Sequence, residues 1–86
     1  MTFQGQKIII VGGTSGIGKA VARSILKAGG IAVIVGSRQP KLDQAITELS
    51  KYGKVLGELA NIADREQTKD LIERIDTNHR DATLLV

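Results

Sequence analysis

Four glycines, Gly12, Gly13, Gly16 and Gly18, surround the hydroxyls of Thr14 and Ser15 within seven residues. Residues of these types at this spacing suit the binding of an anion. Glycine lets backbone approach a phosphate closely, and the unpaired N–H groups of a helix start point at negative charge. The two hydroxyls add donors where a phosphate oxygen would sit. The flanking residues supply what such a loop needs. Ile8, Ile9, Ile10 and Val11 form an unbroken β-branched run, which reads as a strand buried on both faces. Ala20 to Leu26 has helical spacing. Strand, glycine turn and helix in that order make a phosphate cradle.

The elements that position this loop follow in alternation. The first strand is expected over residues 7–12 and the first helix from about Gly16 to Ala28. Ile17, Ala20, Val21, Ser24, Ile25 and Ala28 form that helix's expected packed face, with Gly29-Gly30 at its C-terminal cap. Ile31 to Gly36 reads as a second buried strand. Pro40 suits the first turn of a second helix, where its missing N–H costs nothing. Leu42, Ala45, Ile46 and Leu49 give that helix its apolar stripe, and Gly53 is expected to stop it. Lys54 to Ala60 is a less apolar, edge-type strand. Asp64 and Gln67 have capping-box spacing before a third helix that packs through Leu71, Ile72 and Ile75. Thr83 to Val86 looks like a fourth strand, inside which the sequence stops.

Strands and helices alternating at this spacing imply right-handed βαβ units and a parallel sheet. The expected fold is α/β, a partial doubly wound Rossmann fold of four strands in the order 3-2-1-4 with three helices. Helices one and two would cover one face and helix three the other, with a ligand at the carboxyl ends of strands one and four.

The spacing Gly12-x-x-x-Gly16-x-Gly18 after a buried strand differs from the G-x-G-x-x-G dinucleotide fingerprint. It resembles the short-chain dehydrogenase/reductase family. Val11 stands where that family usually has Thr, which removes one loop hydrogen bond. The resemblance implies that Gly12, Thr14, Ser15, Gly16, Ile17 and Gly18 bind a dinucleotide. It also implies hydride transfer between nicotinamide and a carbonyl or alcohol carbon in the complete enzyme.

At the end of strand two, Gly36-Ser37-Arg38 contains no acid to hold adenosine ribose hydroxyls, and none precedes Asp43. Arg38 lies 20 residues after Gly18, where a guanidinium can pair with a 2′-phosphate and stack on adenine. Ser37 can donate to the same phosphate. On spacing alone Arg38 also reads as a solvated loop arginine; the resemblance favours NADP(H) over NAD(H), although the family's other basic residue is here Ser15. At the end of strand three, Asn61-Ile62 resembles the family's Asp-Val/Leu pair of the adenine pocket; Asn keeps an acceptor and loses the charge. Ala63 replaces the family's Thr or Ser before the third helix.

No catalytic residue is expected in this chain. The family moves its proton with Tyr in Tyr-x-x-x-Lys, oriented with a Ser, but Tyr52 is followed four residues later by Leu56. The segment that follows Leu-Leu-Val in the family is also missing, so the resemblance covers about the first third of a typical member. His79, in a polar stretch, is expected to be neither ligand nor base. Lys69, Asp70, Glu73 and Arg74 read as the solvated face of helix three.

Composition sets the remaining bounds. Eighty-six residues allow one small domain that buries only about 60% of its unfolded surface. The absence of cysteine excludes disulfides and thiolate metal sites, which suits the cytoplasm. No metal site is expected. No apolar run reaches the roughly 18 residues of a membrane span. A net charge of +3 spread along a chain with two aromatics argues against nucleic acid as a partner. Two classes of function remain: the N-terminal cofactor-binding portion, residues 1–86, of a short-chain oxidoreductase, inactive alone; or a stand-alone, non-catalytic nucleotide-binding or interaction module. In the first case the partners are the cofactor and the remainder of the enzyme. Without that remainder, the chain is expected to be partly unfolded or to self-associate through the apolar edge at Leu84, Leu85 and Val86.

Overall fold

The computed structural model describes residues 5–12, 14, 16–79 and 81–85. Strands and helices alternate as β1 (Lys7–Val11), α1 (Gly16–Lys27), β2 (Ile31–Gly36), α2 (Gln39–Leu49), β3 (Val55–Leu59), α3 (Arg65–Asn78) and β4 (Ala82–Leu85). The strands pair in parallel in the order β3-β2-β1-β4. Lys7 faces Ile31 on one side and Ala82 on the other, and Ala32 faces Val55. For residues 83–85 the backbone pairing alone is described.

The position of the helices follows from this order. The chain steps outward from β1 to β2 to β3 and then returns past β1 to β4. With crossovers of one hand, that reversal moves α3 to the opposite face from α1 and α2. Alternate side chains of a strand point to opposite faces, so β1 and β2 feed two cores. Ile8, Ile10, Ala32 and Ile34 pack with Ala22, Ile25 and Leu26 of α1 and with Leu42, Ala45 and Leu49 of α2. Ile9, Val33 and Val35 pack with Ala60 and Leu71 on the α3 side. On β3, Gly57 leaves space for α2: a Cβ there would meet Ile46 Cδ1 at 2.5 Å.

Several element limits and faces differ from the sequence expectation. β1 ends at Val11 rather than residue 12, because Gly12 takes φ +80°. The buried stripe of α1 is Ala22, Ile25 and Leu26 with half-buried Val21, whereas Ala20 and Ser24 are exposed and Ile17 is 84% exposed. The buried face of α1 is thus rotated from the expected one, with Ala22 and Leu26 inside in place of Ala20 and Ser24. α1 does stop at Gly29-Gly30. Gly29 has φ +91°, and the N–H groups of Gly30 and Gly29 donate to the carbonyls of Ile25 and Leu26 at 2.9 and 3.1 Å, a Schellman closure.

α2 ends at Leu49, capped by the Ser50 N–H on the Ile46 carbonyl, so Gly53 lies beyond the stop rather than making it. β3 is shorter by one residue at each end than the expected 54–60. On α3, Leu71 is buried and Ile75 half-buried, but Ile72 is 60% exposed and turned from the sheet. β4 begins at Ala82, and Val86 lies outside the described residues. Among the described residues no helix is long and apolar enough to cross a membrane.

Candidate dinucleotide site

The carboxyl ends of β1, β2 and β3 open into one crevice of about 240 Å³. Val11, Gly12 and Thr14 line it after β1, Val35, Gly36 and Ser37 at the end of β2, and Ala60 to Ala63 after β3. A larger hollow of about 350 Å³ runs along the outside of α3 beside Asp70, Glu73, Arg74, Thr77 and Asn78. It is bounded by one helix surface and joins no strand ends, so it has none of the convergence a ligand site at a sheet end requires.

The loop is shaped for close backbone approach. Gly12 combines φ +80° with empty space where a Cβ would stand, and its N–H donates to the Val35 carbonyl at 3.1 Å. Gly16 has equally open surroundings, and α1 starts there with no acidic residue in its first turn. No acidic side chain of that turn offsets the positive end of the helix. Exposed Ile17 projects from this first turn, an apolar surface beside the cradle. Ser15 lies outside the described residues.

The second wall carries Ser37, exposed at the rim. Arg38 follows at the N-cap position of α2 in extended backbone, φ −124° and ψ 125°. Its carbonyl accepts from the Leu42 N–H at 3.0 Å. Its exposed side chain makes no capping bond and does not line the crevice. The first turn of α2 has no acid, and Asp43 accepts from Gln39 Nε2 at 2.7 Å.

The third wall gives Asn61 a local partner and replaces the expected capping box with another contact. Asn61 Oδ1, the acceptor assigned to adenine, already accepts from the Ala63 N–H at 3.1 Å, a turn that leaves it one lone pair. Asp64 caps α3 by accepting from the N–H groups of Glu66 and Gln67 at 2.9 and 3.1 Å. Gln67 does not return to the Asp64 N–H as a capping box would. Its Oε1 accepts from the Asn61 N–H at 2.8 Å and ties the crevice wall to the helix. Ile62 is 46% exposed in that wall, an apolar surface for a flat ring.

Sequence reasoning missed a polar cluster on the α3 face. His79 is 8% exposed, not in a solvated loop, with Nε2 3.5 Å from Glu58 Oε1. Arg74 is half-buried rather than on the solvated face. Its Nε lies 3.4 Å from Glu58 Oε2, and its Nη2 donates to the Leu59 carbonyl at 3.0 Å. None of the three lines the crevice. The missed signal was spacing: His79 continues the stripe of Leu71 and Ile75, and Glu58 shares its strand face with Leu56.

A parallel sheet whose strand ends converge on a glycine loop and a helix start defines a dinucleotide-binding class of fold. Comparison with known proteins narrows it. The short chain dehydrogenase family profile matches residues 6–86. An uncharacterized oxidoreductase of Bacillus subtilis, YvrD, is 39% identical over 69 residues, covering 80% of this chain and 26% of the relative. The citronellol catabolism dehydrogenase AtuB of Pseudomonas aeruginosa superposes with a TM-score of 0.86 at 32% identity, over 95% of this chain and 35% of that one. L-sorbose reductase of Gluconobacter frateurii, solved with NADPH and L-sorbose, gives 0.84 at 27% identity, over 96% and 33%. The chain belongs to the short-chain dehydrogenase family. It spans about a quarter to a third of the length of these three relatives.

Proposed function

We propose that this chain holds the dinucleotide cofactor, NADP(H) in preference to NAD(H), of a short-chain oxidoreductase whose remaining parts lie outside these 86 residues. The observation that carries the reading is the convergence of three strand ends on one crevice beside Gly12, at φ +80°, and the start of α1. Gly12, Thr14, Ser15, Gly16, Ile17 and Gly18 would hold the pyrophosphate side of the cofactor. Ser37 and Arg38 would take a 2′-phosphate, and Asn61 and Ile62 the adenine. The open space over Gly12 and Gly16 fits such a group, since a side chain at either position would intrude on it.

NADP(H) rather than NAD(H) is supported by Ser37-Arg38 at the end of β2, with no acid before Asp43. The NADPH of the L-sorbose reductase structure agrees with it. When bound, the cofactor exchanges hydride at a carbonyl or alcohol carbon. This chain binds and orients it; Tyr52, with Leu56 four residues on, is not the family's proton-transferring motif. Fluorescence titration should show NADPH binding that Gly12→Val abolishes, because valine does not adopt positive φ without strain. Turnover of carbonyl substrates by the 86 residues alone should be absent. Failure to bind any dinucleotide, or NADPH-linked turnover by this chain, would overturn the assignment.

A further inference from the structure

Gly36, the last residue of β2, is buried and lines the crevice together with Thr14. Its backbone does not call for glycine, since Gly36 is not among the positive-φ residues. The requirement is space. A Cβ on Gly36 would stand 2.8 Å from Thr14 Cγ2, nearer than carbon atoms approach, while Leu42 Cδ1 and Cβ would lie at ordinary contact distances of 3.6 and 3.7 Å. Of the nearest atoms among the described residues, only the threonine methyl stands in the way of a Cβ at position 36.

That contact couples two residues of the crevice. A β-branched side chain has few χ1 wells, and in threonine the methyl and hydroxyl share one carbon. Whatever seats the methyl also sets the direction of the hydroxyl. We propose that Gly36 is a positioning residue for the cofactor: by leaving its Cβ position empty it seats the Thr14 methyl and so aims the Thr14 hydroxyl. The proposal rests on the dinucleotide reading above. A methyl at position 36 forces Thr14 to turn about χ1, so that its methyl leaves that position, or forces the loop to move; either change redirects the donor.

NADPH titration of the full chain provides the test. Gly36→Ala should weaken binding by about tenfold, the scale of a lost hydrogen bond to a charged group. Thr14→Ser should weaken binding in the native background, by freeing χ1, and strengthen it by about threefold or more in the Gly36→Ala background, because the obstructing methyl is gone. Thr14→Val keeps the methyl and loses the hydroxyl; it should leave the melting temperature unchanged and weaken NADPH binding about tenfold. This variant decides the matter even where Gly36→Ala folds poorly. Three-bond couplings to Thr14 Cγ2, measured by NMR without cofactor, should report one rotamer in the native chain and another, or an average, in Gly36→Ala. Unchanged couplings, native-like NADPH binding by Thr14→Val, or Thr14→Ser acting alike in both backgrounds would each overturn the proposal. A native chain that binds no dinucleotide would defeat the functional reading instead, and the couplings would still decide whether Gly36 seats Thr14.

Discussion

The proposed cofactor preference rests on Arg38 and on what its neighbours lack. The end of β2 offers no carboxylate to a ribose, and Asp43 is engaged by Gln39. The Arg38 side chain stands exposed, with its backbone fixed as the N-cap of α2. Losing a charge-assisted pair costs about 1.5–3 kcal/mol. Arg38→Ala should therefore weaken NADPH binding by about tenfold or more while changing NADH binding little. Equal losses for the two cofactors would reverse the preference. Arg38→Lys should restore only part of the difference, since an ammonium cannot bind two phosphate oxygens in one plane or stack as guanidinium does. The cluster of Glu58, Arg74 and His79 shows the opposite case, in which polar side chains serve the fold. Glu58 bridges Arg74 and His79 on the α3 face, and none of them lines the crevice.

At the scale of elements, the start of α3 joins the crevice to the helix. Asp64 satisfies two N–H groups that the first turn would otherwise leave unpaired. Asp64→Ala should lower stability by about 1 kcal/mol, read from the urea midpoint, and Asp64→Asn should lose much less. α1 and α2 are joined by Lys19 Nζ on Glu48 Oε2 at 2.8 Å. The hydrogen bond from Lys19, and then its charge, hold the Glu48 carboxyl below its ordinary value of 4.5. A depressed folded value means that the unfolded chain takes up the proton first as pH falls. The contribution is thus complete above pH 4.5 and is lost as pH falls through the lowered value. Asp81 is lowered from 3.8 by its own backbone N–H and then by Lys7, so its contribution has the same sign in a more acidic window. Lys19→Met should be less stable than the native chain at neutral pH, with the gap closing as pH falls below 4.5. A gap that persisted unchanged in acid would assign the effect to packing of the lysine stem.

For the whole molecule, the sheet divides the core unequally. α1 and α2 each set three buried side chains on their face, while α3 sets only Leu71. Leu71→Ala should cost about 2–4 kcal/mol, a large part of the stability of a domain this small. Ile72→Ala, one residue along but exposed, should stay within about 0.5 kcal/mol of native. Because Asn61 is tied to Gln67, loosening α3 should also loosen the third wall of the crevice. In Leu71→Ala, amide exchange should rise through α3 and residues 60–64 and remain slow in β1 and β2. Uniform acceleration would show that the two cores unfold as one unit.

The sequence by itself determined what near neighbours decide. The run Ile8 to Val11 is apolar enough to be buried on both faces, and the glycines after it permit a turn no other residue makes cheaply. The stripe of Leu42, Ala45 and Leu49 and the Gly29-Gly30 stop are equally local. These suffice for an α/β layering with a glycine loop before α1, and for the crevice residues Gly12, Thr14, Ser37, Asn61 and Ile62 as candidates. Tertiary structure alone decided what depends on how far one element extends over another. Ile17 is as apolar as Ile25 yet 84% exposed, because the face of α1 that meets the sheet is the one carrying Ala22, Ile25 and Leu26. The Asn61 side-chain oxygen accepts from the Ala63 N–H, and the Asn61 N–H donates to Gln67 Oε1. Gly36 and Thr14, 22 residues apart in the sequence, meet because β1 and β2 end side by side. Periodicity defines the phase of a helix relative to itself; where the sheet beneath it stops, and which strand end lies opposite which loop, is set by the strand register.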